Sequence, residues 1–298
     1  MVSPDAYTLA CPFDLDRPEY YARWRERKLR EHPRRIEDLI VEIEDPRHLT
    51  PAEHAAILDR CRRANMAIYS SRIGDDQDKE IPRRLGAQLG LIRLDRNMGA
   101  DEDAISSLTV RSDAPHGGYI PYTSRPIAWH TDGYYNSLDH QIRAMLLHCV
   151  RPAAGGGEND LLDHEIAYIL LRDQNPEFVL ALMHPQAMTI PANRVNGKEL
   201  RPEQAGPVFS VRPDGHLHMR YTDRSRSILW RDGPATAEAV ACLKAILHGK
   251  SAWHFKGRLD AGWGLVSNNT LHTRTGFEDG QHCRLLYRAR YYDRVMGT

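Results

Sequence analysis

The stretch TPAEHAAILDRCRRAN, residues 50–65, sets Ala56, Ile57 and Cys61 along one stripe of a helix and opens with Thr50, Pro51 and Glu53. A hydroxyl at the cap, proline at the first helical position and a carboxylate three residues beyond the cap satisfy the amides that a helix start leaves free, so this segment predicts a helix. A shorter helix is predicted at IPRRLGAQLG, stopped by Gly90, and two more at LLDHEIAYILLRDQ and PATAEAVACLKAILHG, the last ended by Gly249. Elsewhere the period changes. AMLLHCV, GPVFSVRP, GHLHMRYT, WGLVSNN and RLLYRARYY are short apolar or alternating runs bounded by Pro, Gly, Asn and Asp, which predicts strands. Strands with helices inserted among them predict an α+β chain with a mainly β core. An antiparallel sandwich or barrel fits better than a parallel βαβ array.

With 298 residues the chain is long enough to bury a large core, and one catalytic domain spanning 1–298 is expected, with residues 1–90 a helical and mixed N-terminal portion packed on it. Its 40 basic and 40 acidic residues cancel, which argues against nucleic acid as a ligand. The basic stretch RWRERKLREHPRR also contains Glu26 and Glu31 and reads as a solvated helix face. No apolar run is long enough to span a membrane, and MVSPDAYTLACPFDLD lacks the pattern of a signal peptide, which points to a cytoplasmic protein. Five widely spaced cysteines without a C-x-x-C pair fit reduced thiols. The glycine run in AAGGGEN lacks the Lys-Ser/Thr of a phosphate loop.

The chemistry concentrates in RPIAWHTDGYYN, residues 125–136, where His130 and Asp132 stand two apart. In a chain with this many histidines and acids, about two such triplets arise by chance, so the pair means little alone. At the end of a strand, residues two apart share a face and can approach one ion. A distant third ligand would complete the two-histidine, one-carboxylate arrangement that holds Fe(II) and leaves positions open for cosubstrate and oxygen. His272, in WGLVSNNTLHTRTGF, is the best candidate. Arg284 follows twelve residues later at the head of RLLYRARYY, where period two aligns Arg284, Leu286, Arg288 and Arg290. Guanidiniums pointing into a barrel are costly without anions, and a dicarboxylate would satisfy one of them as a bidentate pair.

Taken together, WHTDGYYN, the LLHC of residues 146–149, GGENDLLDH, NNTLHTRTGF and CRLLYRARYYDR resemble the taurine dioxygenase and γ-butyrobetaine hydroxylase superfamily of Fe(II)- and 2-oxoglutarate-dependent oxygenases. The resemblance implies a double-stranded β-helix, or jelly roll, over residues 120–294, with flanking and inserted helices. It implies His130, Asp132 and His272 as iron ligands, Arg284 on the far carboxylate of 2-oxoglutarate, and dioxygen as second cosubstrate. Asn159 falls where the taurine branch carries a threonine that helps bind that carboxylate, and Leu147 lies in the segment that resembles the cosubstrate wall. Asp132 is lacking in halogenating relatives, so its presence points to oxidation of a C–H bond, with succinate and CO2 as co-products.

For the substrate, Trp129, Tyr134, Tyr135 and Tyr221 are candidate contacts. Arg288 is expected either to meet a carboxylate or sulfonate of a small zwitterionic or anionic metabolite, or to pair internally with Glu158 or Asp163, Asp132 being reserved for the metal. A zinc hydrolase using the same triad and a catalytically silent 2-oxoglutarate or metabolite sensor remain alternatives. Assembly, a homo-oligomer included, is left open by the sequence.

Overall fold

AMLLHCV does not alternate because both faces of its strand are buried. In the computed structural model, which describes residues 11–96, 101, 103–112, 119–195, 197–224 and 228–298, it forms a strand from Ala144 to Arg151. Met145, Leu147 and Cys149 join one apolar cluster, while Ala144, Leu146 and Val150 join another. The expectation about the first ten residues lies outside the described residues.

The chain divides into two compact units. The larger holds Pro33–Tyr134, Asp139–Asp163 and Ala252–Thr298. Its strands, numbered in chain order, are β1 (Ile40–Ile43), β2 (Met66–Ser71), β3 (Ser106–Leu108), β4 (Ile127–His130), β5 (Ala144–Arg151), β6 (Gly155–Gly156) and β7 (Asn159–Leu162). They continue as β8 (Phe255–Gly257), β9 (Gly264–Ser267), β10 (Leu271–Arg274), β11 (Phe277–Glu278) and β12 (Leu285–Tyr291). A six-stranded sheet runs β1-β2-β9-β5-β12-β3, a four-stranded sheet runs β8-β7-β10-β4, and β11 pairs with β6.

One cluster lies between the two sheets, with Ile68, Met145, Leu147, Leu265 and Leu286 facing Leu161 and Phe255. The other lies on the opposite face of the six-stranded sheet under the helices Pro51–Ala64 and Glu80–Gln88 through Ile57, Cys61, Leu85 and Leu89. The first of these helices starts as its sequence predicts, Thr50 Oγ1 accepting from the Glu53 amide at 3.3 Å and the Glu53 carboxylate accepting from the Thr50 amide at 2.6 Å. Asn65, at φ 57°, ends it in the left-handed conformation.

Residues 33–90 do more than pack on the core. β1 and β2 are parallel and joined through the Pro51–Ala64 helix, a βαβ crossover within an otherwise antiparallel sheet. A four-residue run such as IVEI is too short for its period to stand out.

The smaller unit holds the residues up to His32, Tyr135–Leu138 and His164–Ser251. It consists of the helices Pro18–Glu31, His164–Gln174, Pro176–Met183 and Pro234–His248 with short antiparallel strands among its described residues. LLD at 161–163 belongs to β7 and its exit, so the helix predicted there begins at His164. The basic N-terminal stretch is not wholly solvated. Lys28 is 6 % exposed and its Nζ lies 2.5 Å from Glu165, because a lysine on the inner face of a packed helix is tolerated only with a carboxylate.

Candidate metal and cosubstrate site

β4 and β10 are adjacent, with His130 and His272 directly opposite in register and their ring centroids 4.2 Å apart. β4 ends at His130, and the turn that follows, with Gly133 at φ 65°, carries Asp132 back until its Oδ1 lies 3.8 Å from His130 Nε2. One donor atom from each of His130, Asp132 and His272 lies within 4.8 Å of the others.

The histidines are oriented from behind. His130 Nδ1 is 2.9 Å from the Ala128 carbonyl oxygen, and His272 Nδ1 is 3.0 Å from that of Thr270. A carbonyl only accepts, so each Nδ1 carries the proton and each Nε2 keeps its lone pair for a metal. Burial, helped by the neighbouring His272, pushes His130 down to about 3, and burial also lowers His272, so both rings are neutral at neutral pH. Burial opposes ionisation of Asp132, but the Arg288 and Arg290 guanidiniums outweigh it and hold the carboxyl below the usual range. Asp132 Oδ2 is buried without a hydrogen-bond partner among the described residues. Two neutral imidazoles and one ionised carboxylate with an unmatched oxygen suit Fe(II).

A residue absent from the sequence reading fixes this geometry. Asn269 Oδ1 accepts from the Asp132 amide at 2.7 Å, while its Nδ2 donates to the carbonyls of Asp132 at 2.9 Å and Ile142 at 2.7 Å. The SNNT segment hinted at a turn, but not at a clamp across 137 positions. Arg274 is also an unexpected pin: its guanidinium donates to the carbonyls of Pro121, Thr123 and Arg125, the segment that leads into β4.

Arg284 is buried, and burial lowers its pKa. Its backbone amide donates to Asp279 at 2.7 Å, and its guanidinium lies over the Phe277 ring. Among the described residues the guanidinium makes no ion pair. Gly157, Asn159, Arg258 and Leu286 share a cavity with it. Asn159 Nδ2 donates to the Thr273 carbonyl at 2.6 Å, so one of its two amide protons is already used within the fold. Leu147 is buried beside Arg288 across the β5–β12 pair, in the cluster between the sheets.

The alignment along β12 holds: Leu286 faces the space between the sheets, Arg290 pairs with Asp95, and Arg288 Nη1 lies 3.5 Å from Asp132 Oδ1. The internal partner of Arg288 is therefore neither Glu158, whose carboxylate is 3.7 Å from Lys256 Nζ, nor Asp163, which accepts from Asn65. The ion-pair partner of Arg288 is Asp132. Trp129 does not join the triad. Adjacent strand residues face opposite sides of a sheet, and its ring packs 5.5 Å from that of His254. Tyr134 is buried two residues beyond Asp132. Tyr135 and Tyr221 belong to the smaller unit, Tyr135 under the Arg201 guanidinium and Tyr221 fully buried with its hydroxyl 3.5 Å from Asp223.

Two histidines and a carboxylate that can hold a redox metal thus lie together, and among the described residues the buried Arg284 guanidinium makes no ion pair, a set that can support metal-dependent oxidation. Residues 40–290 match the taurine catabolism dioxygenase TauD, TfdA family, and the chain belongs to it. It is an Fe(II)- and 2-oxoglutarate-dependent dioxygenase with dioxygen as the other cosubstrate. A uridine-5'-phosphate dioxygenase of a Streptomyces species is 30% identical over 203 residues, 63% of this chain and 69% of that protein. A protein of the same name from an Amycolatopsis species is 37% identical over 99 residues, 32% of this chain and 33% of that protein's length. An asparagine oxygenase, solved with Fe(II), 2S,3S-3-hydroxyasparagine and succinate, shares the fold with TM-score 0.56 at 16% identity, covering 82% of this chain and 80% of that one. No helix among the described residues is long and apolar enough to cross a membrane.

Proposed function

We propose that this dioxygenase oxidises a C–H bond of a small anionic metabolite, most specifically a nucleoside 5'-monophosphate, on a double-stranded β-helix formed by the two sheets. The observation that carries the reading is the triad of His130, Asp132 and His272 with Arg288 reaching the same carboxylate from β12. The printed names of the two relatives support uridine-5'-phosphate as the first substrate to test.

Bound at the triad, iron(II) supplies the redox chemistry that uses dioxygen. The protein's own part is positional. The carbonyls of Ala128 and Thr270 hold the two imidazoles in the ligating tautomer, and Asn269 holds the Asp132 main chain. Arg284 takes the distal carboxylate of 2-oxoglutarate in a fork that a lysine cannot reproduce. Leu147 and Leu286, in the cluster between the sheets, keep water from the cosubstrate. Arg288, whose Nε is buried and without a hydrogen-bond partner among the described residues, offers a donor to the substrate anion, with Tyr134 lining the approach. In the overall reaction 2-oxoglutarate, dioxygen and substrate give succinate, CO2 and oxidised substrate, one oxygen atom going to each organic product.

Incubation with Fe(II), 2-oxoglutarate and a panel of uridine-5'-phosphate, other nucleoside monophosphates, uridine, taurine and betaines tests this by succinate release. Uridine-5'-phosphate should stimulate release and uridine should not. Equal stimulation by uridine removes the anion from the reading, and tight 2-oxoglutarate binding without succinate from any compound favours the silent sensor.

A further inference from the structure

The GGG run and the phenylalanine of TRTGF both end beside Arg284, and neither has yet been given a role. β6 and β11 pair through Gly156 and Phe277, and a methyl on Gly156 would collide with the Gly276 carbonyl oxygen. Gly156 and Gly157 are both left-handed, at φ 72° and 76°. A Cβ on Gly157 would sit 3.5 Å from Phe277 Cβ and 3.7 Å from Arg284 Nε. Gly156 thus allows its backbone to press against the Gly276–Phe277 backbone, and Gly157, held glycine by its left-handed φ, lies in van der Waals range of Phe277 and of the Arg284 guanidinium. Arg284 Cζ lies over that ring, 4.9 Å from its centroid, and Arg274 Cζ lies over the same ring, also 4.9 Å away. Arg274 is held by three carbonyls, whereas the Arg284 guanidinium makes no ion pair among the described residues.

We infer that Phe277 is a positioning residue for cosubstrate selection: its ring face holds the Arg284 guanidinium in place for the distal carboxylate of a 2-oxo diacid. A guanidinium with several rotatable bonds and no fixed anion would otherwise sample alternative rotamers, and each would have to be given up on binding. An aromatic face attracts the cation without competing as an anion for the fork, so the donors stay available to the ligand. The inference rests on Arg284 being the distal-carboxylate anchor.

The test compares the metal-loaded protein's affinity for 2-oxoglutarate, measured anaerobically by calorimetry with Mn(II) in place of iron, with its affinity for 2-oxobutyrate, which lacks the distal carboxylate. Phe277→Leu should weaken 2-oxoglutarate binding by roughly 2- to 30-fold, the range of a cation–π contact, and leave 2-oxobutyrate and Mn(II) binding unchanged. Phe277→Tyr should restore the preference. Phenylalanines of increasing ring fluorination at position 277 keep shape while draining the π face, and affinity for 2-oxoglutarate should fall stepwise with fluorination. Equal loss for both 2-oxo acids, or no trend with fluorination, overturns the inference. An Arg284→Gln protein separates the two layers. If its preference for 2-oxoglutarate over 2-oxobutyrate is intact, the Arg284 reading fails and this inference with it. If that preference collapses while the Phe277 variants keep theirs, only the role of Phe277 is lost.

Discussion

Asp132 and Arg288 form an ion pair inside the protein, Oδ1 to Nη1 3.5 Å, the aspartate side chain 4% exposed and the arginine 10%. The pair explains how a buried carboxylate stays ionised before a cation reaches it, since Arg288 is the largest influence lowering its pKa. A bound dication would take over that duty. Arg288 would then have a weaker hold on Asp132 and a stronger need for another anion.

Arg288→Gln should therefore act twice. It should raise KM for an anionic substrate about tenfold or more while 2-oxoglutarate affinity stays within a few-fold, as read by steady-state kinetics and by titration. Without metal it should also unfold at lower denaturant, because removing one partner of a buried pair costs up to about 3–5 kcal/mol. Unchanged substrate kinetics would leave Arg288 only the structural half of this role.

His130→Ala, Asp132→Ala and His272→Ala should each abolish most metal binding, measured by metal content after dialysis and by Mn(II) calorimetry, along with turnover. His148 lies on the helix-covered face of the six-stranded sheet, where Tyr69 Oη is 2.9 Å from its Nδ1. His148→Gln should retain metal. A His272→Ala protein that binds metal normally would remove it from the ligand set.

Arg284→Ala should leave metal binding intact and weaken 2-oxoglutarate by roughly 30- to several-thousand-fold, the range expected when one partner of a desolvated charge pair is lost, about 2–5 kcal/mol. Lysine should restore only part of this, since a point charge lacks the bidentate fork. Loss of metal together with cosubstrate would instead mean that Arg284 supports the fold around the triad.

That His130, Asp132 and His272 gather at one place was foreseen through the likeness of WHTDGYYN and NNTLHTRTGF to a known family, since the pair two apart means little alone and nothing local ties His272 to it. The period-two face of β12 was also readable, since Leu286, Arg288 and Arg290 repeat on it and Arg284 comes just before the strand. What escaped were long-range choices among several candidates. Arg290 takes Asp95 across 195 positions, and nothing local marks Asp95 over any other aspartate. Trp129 looked like a site residue by proximity in sequence, but strand alternation turns it toward His254. Gly249 ends the Pro234–His248 helix as expected, though in extended rather than left-handed backbone, at φ −75°, where a Cβ would lie 2.7 Å from the Ala245 carbonyl oxygen.

His148 also sets a pH dependence. Burial pushes its pKa down to about 4. Unfolded, it titrates near the ordinary value of about 6.5. Below that value the unfolded chain takes up a proton that the folded protein refuses, so stability contributed by the neutral ring is present above about 6.5 and is lost as pH falls toward 4. The full effect is of order 3 kcal/mol. Denaturant unfolding between pH 7 and 4 should show a shallower decline for His148→Gln than for the parent protein, and an identical slope would mean that His148 does not titrate differently on unfolding.

Asn269 offers the sharpest separation of backbone from side chain. It sits at φ 56°, a conformation that strains an ordinary side chain, and its amide makes three hydrogen bonds, two to the Asp132 backbone and one to the Ile142 carbonyl, that tie both to the loop before β10. Asn269→Gly relieves the backbone strain but deletes the amide, whereas Asn269→Ala deletes the amide and keeps a Cβ in left-handed backbone, adding about 1 kcal/mol or more. If conformation were all that mattered, glycine would be neutral. If the clamp matters, both should weaken metal binding by about 10- to 100-fold, the usual effect of removing a group that orients a ligand, with alanine the less stable of the two. Asn269→Asp is the sternest version. It keeps the acceptor for the Asp132 amide but turns both donors toward carbonyls into a carboxylate oxygen, so it should be worse than glycine for both metal affinity and stability. Mn(II) titration and thermal unfolding of the three variants decide it, and a glycine variant with parental metal affinity would show that the triad holds its shape without the clamp.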